Sequence, residues 1–248
     1  MAFSDKNIIN SWLQNAKPWV DAIRNNEIES RILVTNKAIT NTILQKKPQT
    51  VLDIGCGEGW LARELNKSEV WTYGIDIVPE LIREANKQGG GEFQVVSYEN
   101  LSQKTIKKKF NVVVCNFSLL GNESVTKIFQ SVPNLLNNDG YFIVQTIHPA
   151  AESDSASYKD EWRKGSWTGF SDNFTNPPPW YFRTLETWKK LFQDNGFVLE
   201  EILEPINPKT KKAASIIFIG KIKRSRPKNK RHTLKKYFNR SLKSLMSD

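Results

Sequence analysis

Cysteine, histidine and methionine are scarce in this chain of 248 residues, which has two of each. Cys56 and Cys115 sit in glycine-rich or apolar segments, where reduced thiols acting as small core residues are the simpler reading, so no disulfide is expected. With only His148 and His232, and no Cys/His cluster at ligand spacing, nothing supports a metal site. Long apolar runs are missing too. Val112 to Cys115 and Ile216 to Ile219 fall far short of the roughly 20 residues that a membrane-spanning helix needs. The start, Met1-Ala2-Phe3-Ser4-Asp5-Lys6, lacks the basic-then-apolar order of a secretory leader, so the expected location is cytoplasmic.

Net charge is absent from most of the chain as well. The formal total is +10, yet from Lys221 onward there are eleven Lys/Arg and a single acid, Asp248, so residues 1–220 sum to about zero. That neutrality argues against a nucleic-acid-binding core. The basicity belongs to a tail, in which Leu234, Tyr237, Phe238, Leu242 and Leu245 follow a helical period on a basic background. Such a tail could bind acidic lipid, nucleic acid or an acidic protein surface, or be a solvated terminus.

What is present is an alternation of short apolar strands with amphipathic helical stretches, the pattern of a doubly wound α/β sheet. Seven strands are predicted at 50–54, 70–75, 92–96, 111–115, 140–147, 196–203 and 214–221, in a mostly parallel sheet. Helices are predicted at 60–66, 79–87, 123–136 and 184–195, the last two closing at Asn-Asn-Asp-Gly and Asn-Gly stops. Residues 1–46 read as an N-terminal helical cap, with Ile28, Ile32, Ala38, Ile39, Ile43 and Leu44 along one face. Residues 47–222 form the α/β domain and 223–248 the basic helical tail. Within the domain, 149–183 has no periodicity but carries eight aromatic residues, a composition that disfavours disorder and suggests an ordered lid.

The most informative segment is the apolar strand Val51-Leu52-Asp53-Ile54 running into Gly55-Cys56-Gly57-Glu58-Gly59 and then a helix. Glycines there let a ligand lie against main-chain N–H groups at a helix N-terminus. The spacing is Gly-x-Gly-x-Gly, not the Gly-x-Gly-x-x-Gly of dinucleotide sites, and Asp53 stands two residues before the first glycine. A pyrophosphate would be repelled by that carboxylate, whereas a cofactor bearing an ammonium group would be attracted. Asp76 ends the second strand and can accept hydrogen bonds from both hydroxyls of a ribose.

On these residues the stretch from Val51 to about Ile147 resembles the class I S-adenosylmethionine-dependent methyltransferases, within a small-molecule group typified by the ubiquinone-biosynthesis enzymes. The resemblance implies a Rossmann-like fold, S-adenosyl-L-methionine as cofactor and transfer of its methyl group to O, N or C of a small acceptor. It implies cofactor contacts at Asp53, Gly55, Cys56, Gly57, Gly59, Asp76 and Ile77, and methyl-side contacts at Asn116 and Phe117. Ser97, followed by Tyr98, stands where the family usually has an adenine-binding Asp. A further resemblance to one subgroup extends over most of residues 10–220 and rests on Asn15-Ala16-Lys17-Pro18-Trp19, Ile28-Glu29-Ser30-Arg31, Gln145-Thr146-Ile147-His148-Pro149 and Pro179-Trp180-Tyr181-Phe182-Arg183-Thr184.

Arg31 can pair with the cofactor carboxylate from the cap or be an exposed helix arginine. His148 lies just past the fifth strand, at the sheet edge where ligands bind. It can act as general base, or it can be a hydrogen-bonded histidine opening the lid. Tyr158, Trp180, Tyr181 and Arg183 are the candidate acceptor contacts in the lid, whose aromatics can equally form a satellite hydrophobic cluster. Two other functions remain open at this stage: an RNA methyltransferase anchored by its tail, and a non-catalytic adenosylmethionine-binding module.

Overall fold

The computed structural model describes residues 3–152 and 157–223. The basic tail expected from 223 onward therefore lies outside the described residues, except for Lys223. Three helices lead the chain: α1 (Asp5–Gln14), α2 (Ala16–Arg24) and α3 (Asn36–Gln45). The alternating part follows as β1 (Thr50–Ile54), α4 (Trp60–Asn66), β2 (Trp71–Asp76), α5 (Pro79–Gln88), β3 (Glu92–Val95), β4 (Phe110–Asn116), α6 (Glu123–Leu135) and β5 (Leu136–Thr146). Two short strands, β6 (Glu161–Arg163) and β7 (Trp180–Phe182), precede α7 (Leu185–Asp194), β8 (Phe197–Leu203) and β9 (Ile216–Ile222).

The main sheet has seven strands in the order β3-β2-β1-β4-β5-β9-β8. Pairing is parallel from β3 to β5, while β9 runs antiparallel to both β5 and β8. The seven-stranded, mostly parallel Rossmann-like sheet expected from the sequence is therefore the observed one. Its inner strands β1, β4 and β9 read as nearly continuous apolar runs because both faces are covered, whereas the edge strands β3 and β8 are more polar and exposed. In β9, Ile216 and Phe218 join Phe129, Phe142, Phe192 and Trp188 on one face, and Ile217 and Ile219 join Ile39, Ile43, Leu61 and Leu65 on the other. Period-two alternation distributes neighbouring side chains to opposite sides of the sheet.

Two local expectations need correction. The Asn137-Asn138-Asp139-Gly140 stretch does not close α6 as a turn. The helix passes directly into β5, Leu136 pairs with Phe110, and the register slips between Phe110 and Val112. Packing of Leu135 and Leu136 in the core outweighs the turn preference of the polar residues that follow them. Ile32 does not share the buried face of Ile39 and Ile43, being half exposed. Residues Arg31–Thr35 form a π-helical turn, whose extra residue per hydrogen-bonded ring shifts the phase of the apolar face.

The segment 149–183 is ordered where described. β6 and β7 pair as an antiparallel two-stranded sheet, and the chain between them crosses the open end of the main sheet. Among the described residues no helix is long and apolar enough to cross a membrane, and no group of three or more His, Cys, Asp or Glu could hold a metal ion.

Candidate functional site

The switch point of the sheet lies between β1 and β4, whose following loops diverge and leave a crevice. A cavity of about 500 Å³ opens there, in the size range of small-ligand pockets. Its floor is the β1–α4 loop. Gly55 adopts φ +75°, and a Cβ on it would stand 2.4 Å from Ser118 Cβ and 2.6 Å from the Tyr98 hydroxyl, so only glycine fits. The N–H groups of Gly55 and Cys56 both donate to the Ile75 carbonyl, at 2.8 and 3.0 Å, tying the loop to β2. A Cβ on Gly57 would meet only the Trp19 indole, at 3.5 Å, so this glycine is open on that side.

Asp76 sits at the end of β2 in the cavity wall. Its Oδ2 accepts from the Gly57 N–H at 3.0 Å and its Oδ1 from the Val78 N–H at 2.9 Å. Burial raises its pKa above the ordinary carboxylate value, and those backbone donors oppose the rise. Asp53 lies beneath the lining, almost fully buried, with Oδ1 lacking any hydrogen-bond partner. Burial, reinforced by Asp76 and opposed by Arg31, pushes its carboxyl up to about 7.

Arg31 does line the cavity, entering from the π-helical turn. Its guanidinium stands 4.7 Å from the Trp60 ring centroid and 5.6 Å from that of Trp19, and Nη2 has no partner. Burial pulls its pKa down to about 10, with Glu58 and Asp53 opposing. A buried guanidinium nitrogen in the cavity wall and a buried carboxylate oxygen beneath the lining are thus both unsatisfied. Each such group is costly unless a ligand completes it.

The far wall comes from β4 and the loop after it. Asn116 lines the cavity with an unpartnered Oδ1, and Phe117 is held at φ +54° while its N–H donates to the Gln145 carbonyl at 2.8 Å. Tyr98 donates to the Ser118 carbonyl at 3.2 Å. Asp5 reaches across from α1 and caps α6, its carboxylate accepting from the Asn122 and Ser124 N–H groups at 2.8 and 2.7 Å.

The roof joins the N-terminal helices to the segment between β6 and β7. Trp12 packs edge-on against Trp19 and Trp167, with centroids 5.1 and 5.8 Å apart, and Trp167 meets Phe174 at 4.7 Å. Asn15 holds the Thr175 peptide on both sides, accepting from its N–H at 2.9 Å and donating to its carbonyl at 2.7 Å. Ser11 donates to the Asn176 carbonyl at 2.6 Å. Gly165 is required by close approach, since a Cβ would lie 1.9 Å from the Pro178 carbonyl oxygen.

Of the residues expected from the sequence, Arg31, Gly55, Gly57, Asp76, Ile77, Tyr98, Asn116, Phe117 and Trp180 line this cavity. Asp53, Cys56, Gly59 and Ser97 do not. Cys56 is buried, and Gly59 stands at the N-terminus of α4. His148 is also outside it. Its Nδ1 accepts from the Ala150 N–H at 3.1 Å, which leaves Nε2 to donate to Glu204 at 3.0 Å. Both ring nitrogens are thus engaged at the start of the lid. Tyr158 accepts from the Leu185 N–H, Tyr181 donates its N–H to the Leu120 carbonyl, and buried Arg183 donates to the Asn122 carbonyl at 3.1 Å. These three hold the lid to the body and leave the cavity to others.

The sequence reading missed Asp5, Ile8, Trp12, Trp19 and Lys164 as cavity residues, and it placed Trp167 and Phe170 only among the aromatics of the lid. A usable signal existed for two of them: Trp12 and Trp19 are seven residues apart in a helical stretch, the spacing of one face over two turns. The others arrive through the path of the chain over the sheet edge.

Fold and site together define a Rossmann-like protein with a cavity at the switch point of its sheet, bordered by Asp76 and Arg31. The match to known proteins is narrower. A family model described as a methyltransferase domain matches residues 28–202, and the chain belongs to that family. The ubiquinone biosynthesis O-methyltransferase of Glaesserella parasuis serovar 5 is 28% identical over 122 residues, which are 46% of this chain and 50% of that protein. The chain thus spans about half the length of that relative. Magnesium protoporphyrin IX methyltransferase from Synechocystis PCC 6803, solved with bound S-adenosylhomocysteine, superposes with a TM-score of 0.60 at 14% identity, covering 88% of this chain and 100% of that one. An S-adenosylmethionine-dependent methyltransferase from Clostridium acetobutylicum ATCC 824 gives 0.58 at 17% identity, covering 74% and 89%. These two likenesses carry the fold.

Proposed function

We propose that the protein binds S-adenosyl-L-methionine in this cavity and transfers its methyl group to a small-molecule acceptor enclosed by the N-terminal helices and the lid. The observation that carries the reading is the pair of unsatisfied buried groups beside Asp76. An amino-acid end needs a carboxylate for its ammonium and a cation for its carboxylate, and Asp53 and Arg31 offer one of each. A ribose needs a fixed acceptor at the end of β2, and the Gly57 and Val78 N–H groups hold Asp76 in place for it. Tyr98 and Glu99 stand at the cavity wall beyond β3, on the side suited to the base.

When bound, the cofactor supplies a methyl group already activated by the sulfonium to which it is attached. The chain's own work is positioning and exclusion of water. Asn116 and Phe117 border the space where the acceptor meets the methyl group, and the lid aromatics close it. Placing a reacting pair in line accounts for a large part of the rate in such transfers.

The acceptor is read as a small molecule because the lid and cap roof the cavity and the core is neutral. The relatives and solved structures named above are methyltransferases, two of them named for ubiquinone biosynthesis and for magnesium protoporphyrin IX, which is in keeping with that reading. A cytoplasmic location is part of the same proposal.

Calorimetric titration with S-adenosylmethionine and S-adenosylhomocysteine tests it. Saturable binding is expected, weakened at least about 100-fold in Asp76→Ala, which removes two charge-assisted hydrogen bonds. A folded protein that binds neither compound overturns the proposal.

A further inference from the structure

The acceptor half of the cavity is apolar. Ile8, Ile9, Trp12, Leu120, Phe170 and Trp180 dominate its lining. Against that background its ionisable groups are few, and each has an assigned partner or place. Asp5 gives both carboxylate oxygens to N–H groups at the start of α6, so both are occupied in capping that helix. Asp76 is engaged by Gly57 and Val78, and Asp53 is beneath the lining. Tyr98 donates to the Ser118 carbonyl, and Glu99 is exposed beside it, on the β3 side of the cavity. His148 lies outside with both nitrogens occupied. Among the described residues, no free general base faces the acceptor space.

The cations are in a different position. Arg31 has an unsatisfied nitrogen, which the proposed cofactor carboxylate takes. Lys164, at the rim between β6 and Trp167, lines the cavity and makes no hydrogen bond or ion pair among the described residues. An apolar chamber with an uncommitted cation at its mouth and no base inside suits an acceptor that arrives as an anion and needs no deprotonation.

We infer that the acceptor is an aromatic or otherwise apolar carboxylic acid, that its carboxylate oxygen is methylated to a methyl ester, and that Lys164 is the residue that selects the anion. The inference rests on the cofactor reading above. The carboxylate oxygen forms a bond to the methyl carbon as the carbon–sulfur bond breaks, and its electron pair remains on sulfur. The negative charge of the acid and the positive charge of the sulfonium vanish together, and no proton is moved. A water-poor aromatic chamber favours that step, because the two charges are poorly solvated before it and absent after it. Loss of the acceptor's charge also removes its attraction to Lys164 and so favours release of the ester.

The test uses the full chain, S-adenosylmethionine carrying a labelled methyl group, and a filtered small-molecule extract of the organism that encodes the protein. Methyl esters release their label as volatile methanol in mild base, whereas ethers, N-methyl and C-methyl products do not. The expected result is that most transferred label becomes volatile in base. In Lys164→Met the apparent KM for the active fraction rises about tenfold or more with kcat little changed. Lys164→Arg restores most of the affinity, and calorimetric binding of S-adenosylhomocysteine is unaltered in both variants. The rate is flat from pH 6 to 8 once cofactor is saturating. Base-stable label, no transfer of label by a protein that binds the cofactor, or a KM unmoved in Lys164→Met overturns the inference and leaves the cofactor reading standing. Failure to bind S-adenosylhomocysteine at all strikes the cofactor reading instead.

Discussion

Asp53 illustrates how a single residue can be a burden to the fold and an asset to the site. Burial raises its carboxyl from the ordinary 3.8 to about 7. Because the folded value is above the unfolded one, ionisation costs the ligand-free fold stability at pH values above about 7, and the cost disappears as pH falls toward 4. Asp53→Asn removes it. The variant is expected to melt higher than the wild type at pH 8 and close to it near pH 4, when followed by circular dichroism. Its affinity for S-adenosylhomocysteine is expected to fall about tenfold or more, since the ammonium loses its counter-charge. In the wild type, affinity should decline below pH 7, by up to about tenfold per unit, as the proton competes for the carboxylate. An Asp53→Asn protein with unchanged affinity would remove Asp53 from the site. The position of Asp53 before the glycine loop was legible in the sequence, and so was Asp76 at the end of β2, because both are set by local strand and loop chemistry. Lys164 was not legible as a cavity residue. Nothing in its neighbours distinguishes a lysine at a rim from one in solvent.

At the scale of elements, the link between α1, α2 and the lid decides whether the cavity is closed. Asn15 occupies the break between the two helices and satisfies both polar groups of the Thr175 peptide, 160 residues away. Asn15→Ala leaves the part-buried Thr175 N–H unpaired and its carbonyl with the Trp167 indole as donor, a loss of about 1–3 kcal/mol. The segment 164–178 should then exchange its amide hydrogens faster and be cut earlier in limited proteolysis, while the main sheet is little affected. Equal protection in the variant would mean that the aromatic contacts of Trp12 and Trp167 hold the lid alone. The strands and most helices were readable from period and turn residues. The π-helical turn at Arg31–Thr35 was not, since the same residues fit a regular helix on paper. It turns Ile32 outward and aims Arg31 into the cavity, the opposite of what an unbroken helical face implies. The continuation of α6 into β5 escaped for a related reason, because core packing around Leu136 overrode the turn preference of Asn-Asn-Asp-Gly.

Across the whole molecule, cofactor binding draws on every layer: Arg31 from the cap, Asp53 and Asp76 from the sheet, and the lid above. A ligand that binds only the folded state adds stability, about 2.7 kcal/mol at a hundredfold excess over its Kd. S-adenosylhomocysteine should therefore raise the melting temperature and also slow exchange in residues 5–45 and 164–178 together. Protection confined to the main sheet would show that cap and lid do not respond to the cofactor.

The sequence by itself determined the sheet, its order of strands and helices, the glycine loop and the two carboxylates that serve it. Those features depend on residues within a turn or a strand of one another, where periodicity and backbone freedom act directly. Only the tertiary structure decided which side chains enclose the acceptor. It sent His148 to Glu204 and away from the cavity, Arg183 to the Asn122 carbonyl, and Trp12, Trp19, Lys164 and Trp167 to the chamber. Those choices follow from how the cap and the lid cross the sheet edge, a consequence of contacts between residues 56 to 165 positions apart that no local pattern records.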